Sequence, residues 1–254
     1  MDNSIFALLL LALLGSVAGL FGGIIFLINK NWAKILGIYA VPFAAGVLLS
    51  VSVLHLVPEA SEMIGYNAFL YVLMAFLGSF IFEKYFASMH HHEEHSHGGT
   101  LHKSTIPLVI LGDTIHNFID GVAIAAAFLV NPYSGFVVAM STFLHETPHE
   151  IGDFGVLISR GWTPRKTFFA NFLSSLATIP GALMVYYFFP NGANDQIGVF
   201  LAISAGIFLY LGASDFLPEI DEHDTKRMTF IKVLLVVVGA SLMYFISQIF
   251  PEIH

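Results

Sequence analysis

Hydrophobic positions in this chain come in long blocks rather than in stripes. Runs of roughly twenty or more mostly apolar residues lie at 4–28, 35–57, 67–88, 106–130, 133–158, 167–189, 197–218 and 229–250. Each is long enough to cross about 30 Å of hydrocarbon as an α-helix. The pattern predicts an all-α polytopic membrane protein with eight transmembrane helices, occupying residues 1–254 as a single domain. The alternating segments of about ten residues that mark a membrane β-barrel are not seen in the sequence. The first block, "MDNSIFALLLLALLGSVAGLFGG", has no basic start, and its apolar stretch exceeds the roughly 7–15 residues of a signal peptide. It is expected to be a retained helix.

The polar breaks between blocks orient the chain. Lys30 and Lys34 fall at the first loop, Lys84 and Lys103 at the third, Arg160, Arg165 and Lys166 at the fifth, and Lys226, Arg227 and Lys232 at the seventh. Basic residues near span ends are retained on the cytoplasmic side, so the odd-numbered loops are expected in the cytoplasm and both termini outside. The longest break, 89–104, contains "MHHHEEHSHGGTLHKS". His90, His91, His92, His95, His97 and His102 make it a His-rich cytoplasmic loop able to hold metal ions through imidazole nitrogen.

Composition agrees with the blocks. Hydrophobic residues make up 56% of the chain and charged residues 11%, too little charge to cover a soluble domain of this size. The lipid bilayer is therefore an expected partner. The net charge of −8 gives no reason to expect nucleic acid, because much of the acidic excess lies inside the spans. With no cysteine, disulfides and thiolate metal sites are not available.

That intramembrane acidity carries the candidate chemistry. Spans four and five contain "LGDTIHNFIDG" and "FLHETPHEIGDFG", and between Thr105 and Ser159 five carboxylates and three histidines occur without a Lys or Arg. An ionised group at mid-bilayer costs about 2.5–3.5 kcal/mol even on a lenient scale. At about 100° per residue, His116, Asn117 and Asp120 share a face of span four. His145, Glu146, His149, Glu150 and Asp153 fall within an arc of roughly 140° on span five. Two helices zipped by hydrogen bonds would need only one or two such groups, whereas a bound divalent cation accounts for all of them. Pro148 removes a helix hydrogen bond beside His145 and Glu146 and predicts a kink there. Gly112, Gly121, Gly152 and Gly155 predict close helix approach. A fainter echo pairs "HLVPEA" of span two with "DFLPEI" of span seven, as an inverted repeat would.

"HETPH", His145 to His149, also satisfies the H-E-x-x-H of zinc proteases, two histidines holding zinc and a Glu acting as base. An intramembrane HExxH zinc metalloprotease is thus the alternative reading. Against it, Glu150, Asp153, His116 and Asn117 exceed what three protein ligands and a water require.

"HNFIDG" and "HETPHEIGD" resemble the paired signatures of the ZIP family of metal transporters. The His-rich third loop, "HLVPE" and "FLPE" resemble its LIV-1 branch. The resemblance implies a zinc importer that is not an enzyme, with zinc as transported substrate and other divalent ions such as Fe, Cd or Mn as further substrates. It implies a 3+2+3 arrangement with an inverted repeat, elevator-like movement of helices one, four, five and six against two, three, seven and eight, and a homodimer in the plasma (inner) membrane. It also implies a binuclear site between helices four and five. His116, Asp120, Glu146 and His149 would form the main position, and Asn117, Asp120, His145 and Glu146 the neighbouring one. Glu150 completes the expected metal set, with Asp153, His55 of span two and Asp215 of span seven as accessory residues. Where some relatives supply an acidic ligand from span six, this chain offers only Asn171, Ser174 and Ser175.

Overall fold

A computed structural model describes residues 3–91, 105–159, 161–189, 194–219 and 225–249, and all regular structure among them is helical. The first apolar run is broken. Helices α1 (Asn3–Gly15) and α2 (Phe21–Ile28) are parted by turns at 16–20, which follow Gly15 at the end of α1 and include Gly19, both of which favour helix poorly. The Asn29 side chain then accepts from the backbone N–H groups of Asn31 and Trp32 and caps α3 (Lys30–Val51), which continues through a π-helical turn (Ser52–Leu56) into α4 (Val57–Ile64). Gly65, at φ 60°, ends α4 in a conformation that costs glycine little. After α5 (Asn67–His91), α6 (Thr105–Val130) and α7 (Pro132–Ser159) are joined at Asn131, whose side chain accepts from Tyr133 N–H.

Thr163 caps α8 (Pro164–Ser175) by accepting from Lys166 N–H. A turn then leads to α9 (Thr178–Phe188). Helix α10 (Asn194–Tyr210) ends in a second π-helical turn (Leu211–Phe216) and a 3₁₀ turn (Leu217–Glu219), and α11 (Lys226–Ile249) follows. Both sequence echoes, "HLVPE" and "DFLPE", therefore run through a π-helical turn with a proline just beyond it.

Six helical stretches among the described residues are long and apolar enough to cross a membrane: Ile38–Ile64, Asn67–Tyr85, Ile110–Val130, Pro164–Phe188, Asp195–Ser214 and Lys226–Ile246. The first expected span differs because its break leaves only the shorter apolar helix Ser4–Gly15. The fifth, α7, is long enough at 28 residues, but its second half carries His145, Glu146, His149, Glu150 and Asp153.

The surface is oily and the interior holds polar groups. Phe69, Leu73 and Phe82 of α5, with Phe230, Val237 and Phe245 of α11, are exposed, while Asp113, Asn117, Asp120, His145, Glu146 and Glu150 are buried. Large apolar side chains outside suit lipid, and the polar groups are sheltered within an otherwise apolar core. The broadest helix contacts are α3 with α11, α6 with α9, and α5 with α10. All three are backbone contacts made possible by glycine, that of α5 with α10 through Gly206, where a Cβ would stand 2.3 Å from the Val72 carbonyl. A Cβ on Gly46 would stand 2.0 Å from the Val236 carbonyl and one on Gly239 2.2 Å from that of Phe43. Likewise Gly121 faces the Thr178 carbonyl at 2.0 Å and Gly181 that of Phe118 at 2.1 Å. Three of the four glycines expected to serve this purpose do otherwise. Gly112 and Gly152 have open space where a Cβ would be, and Gly155 allows ordinary contact with Phe26 at 3.6 Å, because those positions lie on faces without a closely packed backbone.

Candidate metal centre

Helix α6 packs along α7 and brings their polar faces together. His116 and Asp120 are one turn apart on α6, and His145 and Glu146 are adjacent on α7. The space they need is left by the break between α1 and α2, since a Cβ on Gly19 would stand 2.6 Å from Glu146 Cβ. Asp120, His145 and Glu146 are fully buried, and the His116 side chain is 10% exposed.

The four side chains converge on one point. His116 Nε2 lies 2.9 Å from Glu146 Oε1, 3.3 Å from His145 Nε2 and 3.7 Å from Asp120 Oδ2. His145 Nε2 lies 3.4 Å from Asp120 Oδ2 and 3.7 Å from Glu146 Oε1. Ligand atoms bound to tetrahedral zinc at about 2.0–2.1 Å stand about 3.3 Å from one another. The five separations bracket that value. Despite the short approaches, neither oxygen of Asp120 or Glu146 has a hydrogen-bond donor aligned with it. Leaving buried carboxylates in that condition is costly, and a cation relieves it.

His145 is set for this role. Its Nδ1 stands 2.9 Å from the Ser141 carbonyl, which only accepts, so a proton on Nδ1 is satisfied there and Nε2, beside Asp120 and Glu146, is the atom placed to ligate an ion. Histidine ligands are commonly oriented in this way. Pro148 lies inside α7 and deprives the Leu144 carbonyl of its usual helical donor, one residue before His145.

Other expected ligands are placed differently. His149 is one turn beyond His145 on the same face, with its ring centroid 5.2 Å from that of His116. Its Nδ1 lies 4.0 Å from Asp153 Oδ2, and these two form a metal-competent group with Asp113. Glu150, fully buried, groups with Glu146 and again Asp113. Asn117 is engaged by protein at both ends: its Nδ2 donates to Asp113 Oδ1 at 2.9 Å and to the Asp113 carbonyl at 3.1 Å, and its Oδ1 accepts from Thr178 Oγ1 at 3.3 Å.

His55 stands apart from the quartet in the π-helical turn. It is buried, with Nε2 3.5 Å from Glu59 Oε1, which also accepts from Ser134 Oγ at 2.5 Å. On α8, Asn171 donates to the Thr167 carbonyl and Ser175 to that of Phe172, while Ser174 shares a hydrogen bond with Thr114. The side chains of Asp215, His90 and His91 and the whole of His92, His95, His97 and His102 lie outside what the structure describes.

Asp113 was not among the expected ligands although it takes part in two of the three metal-competent groups among the described residues. The signal was present: Asp113, Asn117 and Asp120 are spaced four and three apart, which puts all three on one helical face.

An oily helical body that encloses a buried cluster of histidines and carboxylates able to hold a metal cation is the pattern of a membrane protein with an internal ion site. Residues 104–247 match the family model described as "ZIP Zinc transporter", more than half of the chain, and the protein belongs to that family. The chain is 33% identical over 141 residues to the zinc transporter foi of Drosophila melanogaster, covering 55% of this chain and 20% of that protein. It is 41% identical over 117 residues to mouse zinc transporter ZIP10, covering 46% and 14%, and 35% identical over 143 residues to mouse zinc transporter ZIP13, covering 55% and 39%. The matched segment thus spans well under half of these relatives' own length. The family is one of transporters rather than enzymes, and the protease reading of H-E-x-x-H is set aside.

Proposed function

We propose that the protein carries zinc, or a related divalent ion, across the membrane into the cytoplasm through a binuclear site between α6 and α7. The observation that carries this reading is the quartet of His116, Asp120, His145 and Glu146, whose ligand atoms lie within 4.8 Å of one another. Two imidazoles with two carboxylates suit zinc, with Fe and Cd also accommodated and Mn less so. The absence of basic side chains from α6 and α7 between Thr105 and Ser159 leaves the carboxylate charge available to the ion.

The helix contacts favour eight spans in a 3+2+3 arrangement with an inverted repeat. In such a repeat the first three spans correspond to the last three. Contact of α3 with α11 then corresponds to that of α10 with α5, and contact of α1 and α2 with α7 to that of α8 and α9 with α6; all of these pairs pack together. The first and sixth spans each break near the middle, and the second and seventh each contain a π-helical turn. In this arrangement α1, α2 and α6–α9 move as a carrier against α3–α5, α10 and α11. The distribution of basic residues puts residues 89–104 and both ends of the α7–α8 connection in the cytoplasm, with the protein in the plasma (inner) membrane as a homodimer.

The test is zinc accumulation in sealed proteoliposomes. Wild-type protein accumulates zinc, whereas His116→Ala reduces the rate at least about tenfold without loss of folded protein. Wild-type rates in the folded variant would overturn the assignment.

A further inference from the structure

One member of the quartet is held from a third helix. The Ser141 carbonyl lies at His145 Nδ1 and secures one corner of the imidazole. A ring secured at one corner still tilts about that contact, and the tilt swings Nε2 away from its neighbours. A metal ligand has to be held to within about 0.5 Å and 10–20°, so a second contact from another direction is required.

Two rings supply contacts of that kind. His116 meets His145 with 5.4 Å between centroids and 68° between planes, and Phe208 of α10 meets it at 5.5 Å and 62°. Both are edge-type arrangements within the range that aromatic pairs prefer. His116 is itself a member of the quartet and shifts with whatever ion is bound there. Phe208 is not free to do so. It is fully buried within the apolar core, and its helix is seated on two sides, against α5 and against α6. On the α5 side the fit is close, since Gly206, two residues earlier, sets α10 directly on the Val72 carbonyl.

We infer that Phe208 is a positioning residue for the ion, its ring holding the His145 imidazole at the tilt that keeps Nε2 beside Asp120 and Glu146. A phenyl ring has no lone pair with which to ligate, and α10 contributes to none of the metal-competent groups among the described residues, so Phe208 acts only through His145. Its apolar surface also offers the imidazole no competing hydrogen bond on that side. The residues that orient a metal-bound histidine are usually polar; here a close-packed wall completes what the Ser141 carbonyl begins. The inference rests on the quartet as an ion site and not on transport.

The experiment uses chelator-stripped, full-length protein in nanodiscs, titrated with Co²⁺ and then with competing Zn²⁺. Visible absorption is strong for four-coordinate cobalt and weak for six-coordinate cobalt, so it reports ligand geometry as well as affinity. Phe208→Ala is expected to lose most of the wild-type band and to weaken zinc binding at least about tenfold. Phe208→Leu keeps the core filled without a flat ring; it shifts both readings the same way by a smaller factor, and it decides the matter if Phe208→Ala does not fold. Leu201→Ala empties another fully buried position of α10, two turns earlier on the same face, and leaves band and affinity at wild-type values. Wild-type readings in both Phe208 variants, or equal losses in Leu201→Ala, would show that Phe208 merely fills space. Absence of any Co²⁺ or Zn²⁺ binding by the wild-type protein is a different result, and it removes the ion site itself.

Discussion

At the scale of single residues, the centre depends on how its ligands are held as much as on which ligands are present. The Ser141 carbonyl fixes the His145 ring, and Asn117, itself fixed by Thr178, fixes Asp113. Such outer partners typically change metal affinity about 10–100-fold. Asn117→Ala is therefore expected to weaken zinc binding to the cluster by that range, as measured by zinc calorimetry. Asn117→Asp distinguishes orientation from ligation. A carboxylate at this position loses the donor and opposes Asp113, so binding stays weak. Recovery of wild-type affinity would instead make residue 117 a direct ligand.

At the scale of helices, close backbone contact brings the polar faces together. The reciprocal contact of Gly121 and Gly181 leaves no room for a methyl group against the opposing carbonyls. Gly121→Ala should destabilise the protein by about 1–3 kcal/mol, visible as a fall of several degrees in thermal unfolding in detergent. Gly112→Ala, with open space at its Cβ, should be neutral or stabilise by up to about 1 kcal/mol through helix propensity. Equal shifts in the two variants would refute the contact. The breaks have comparable roles: the turns between α1 and α2 make room at Gly19 for Glu146, and a π-helical turn holds His55 beside Glu59. Such irregular backbone inside a membrane protein is tolerated where protein covers it.

At the scale of the whole molecule, the apolar exterior calls for a bilayer around the body, and the buried acids and imidazoles offer a place for an ion within it. The chain has no cysteine, so single cysteines report topology directly. Tyr66→Cys, at an exposed position between α4 and α5, should react with an impermeant thiol reagent applied to intact cells. Arg165→Cys, at the exposed start of α8, should react only after the membrane is opened. The opposite pattern would invert the orientation read from the basic residues.

Much of this was legible in the sequence because hydrocarbon imposes its demands locally. A span needs about twenty apolar residues, and a charge placed within one stands out against them, so the helical class, the approximate bounds of the helices and the polar faces of α6 and α7 follow from spacing alone. Sequence did not reveal the break at 16–20, which lies within an unbroken apolar run, or which glycines touch a backbone. It also did not show which polar groups on one face bond to one another. Asn117 and Asp113 share a helical face, and only the structure shows that they are hydrogen-bonded to each other and that Asn117 meets Thr178 of α9. Sequence by itself determined that acids and imidazoles would be confined among apolar helices without basic partners. The tertiary structure decided which of them converge, because that depends on how deeply one helix settles against the next.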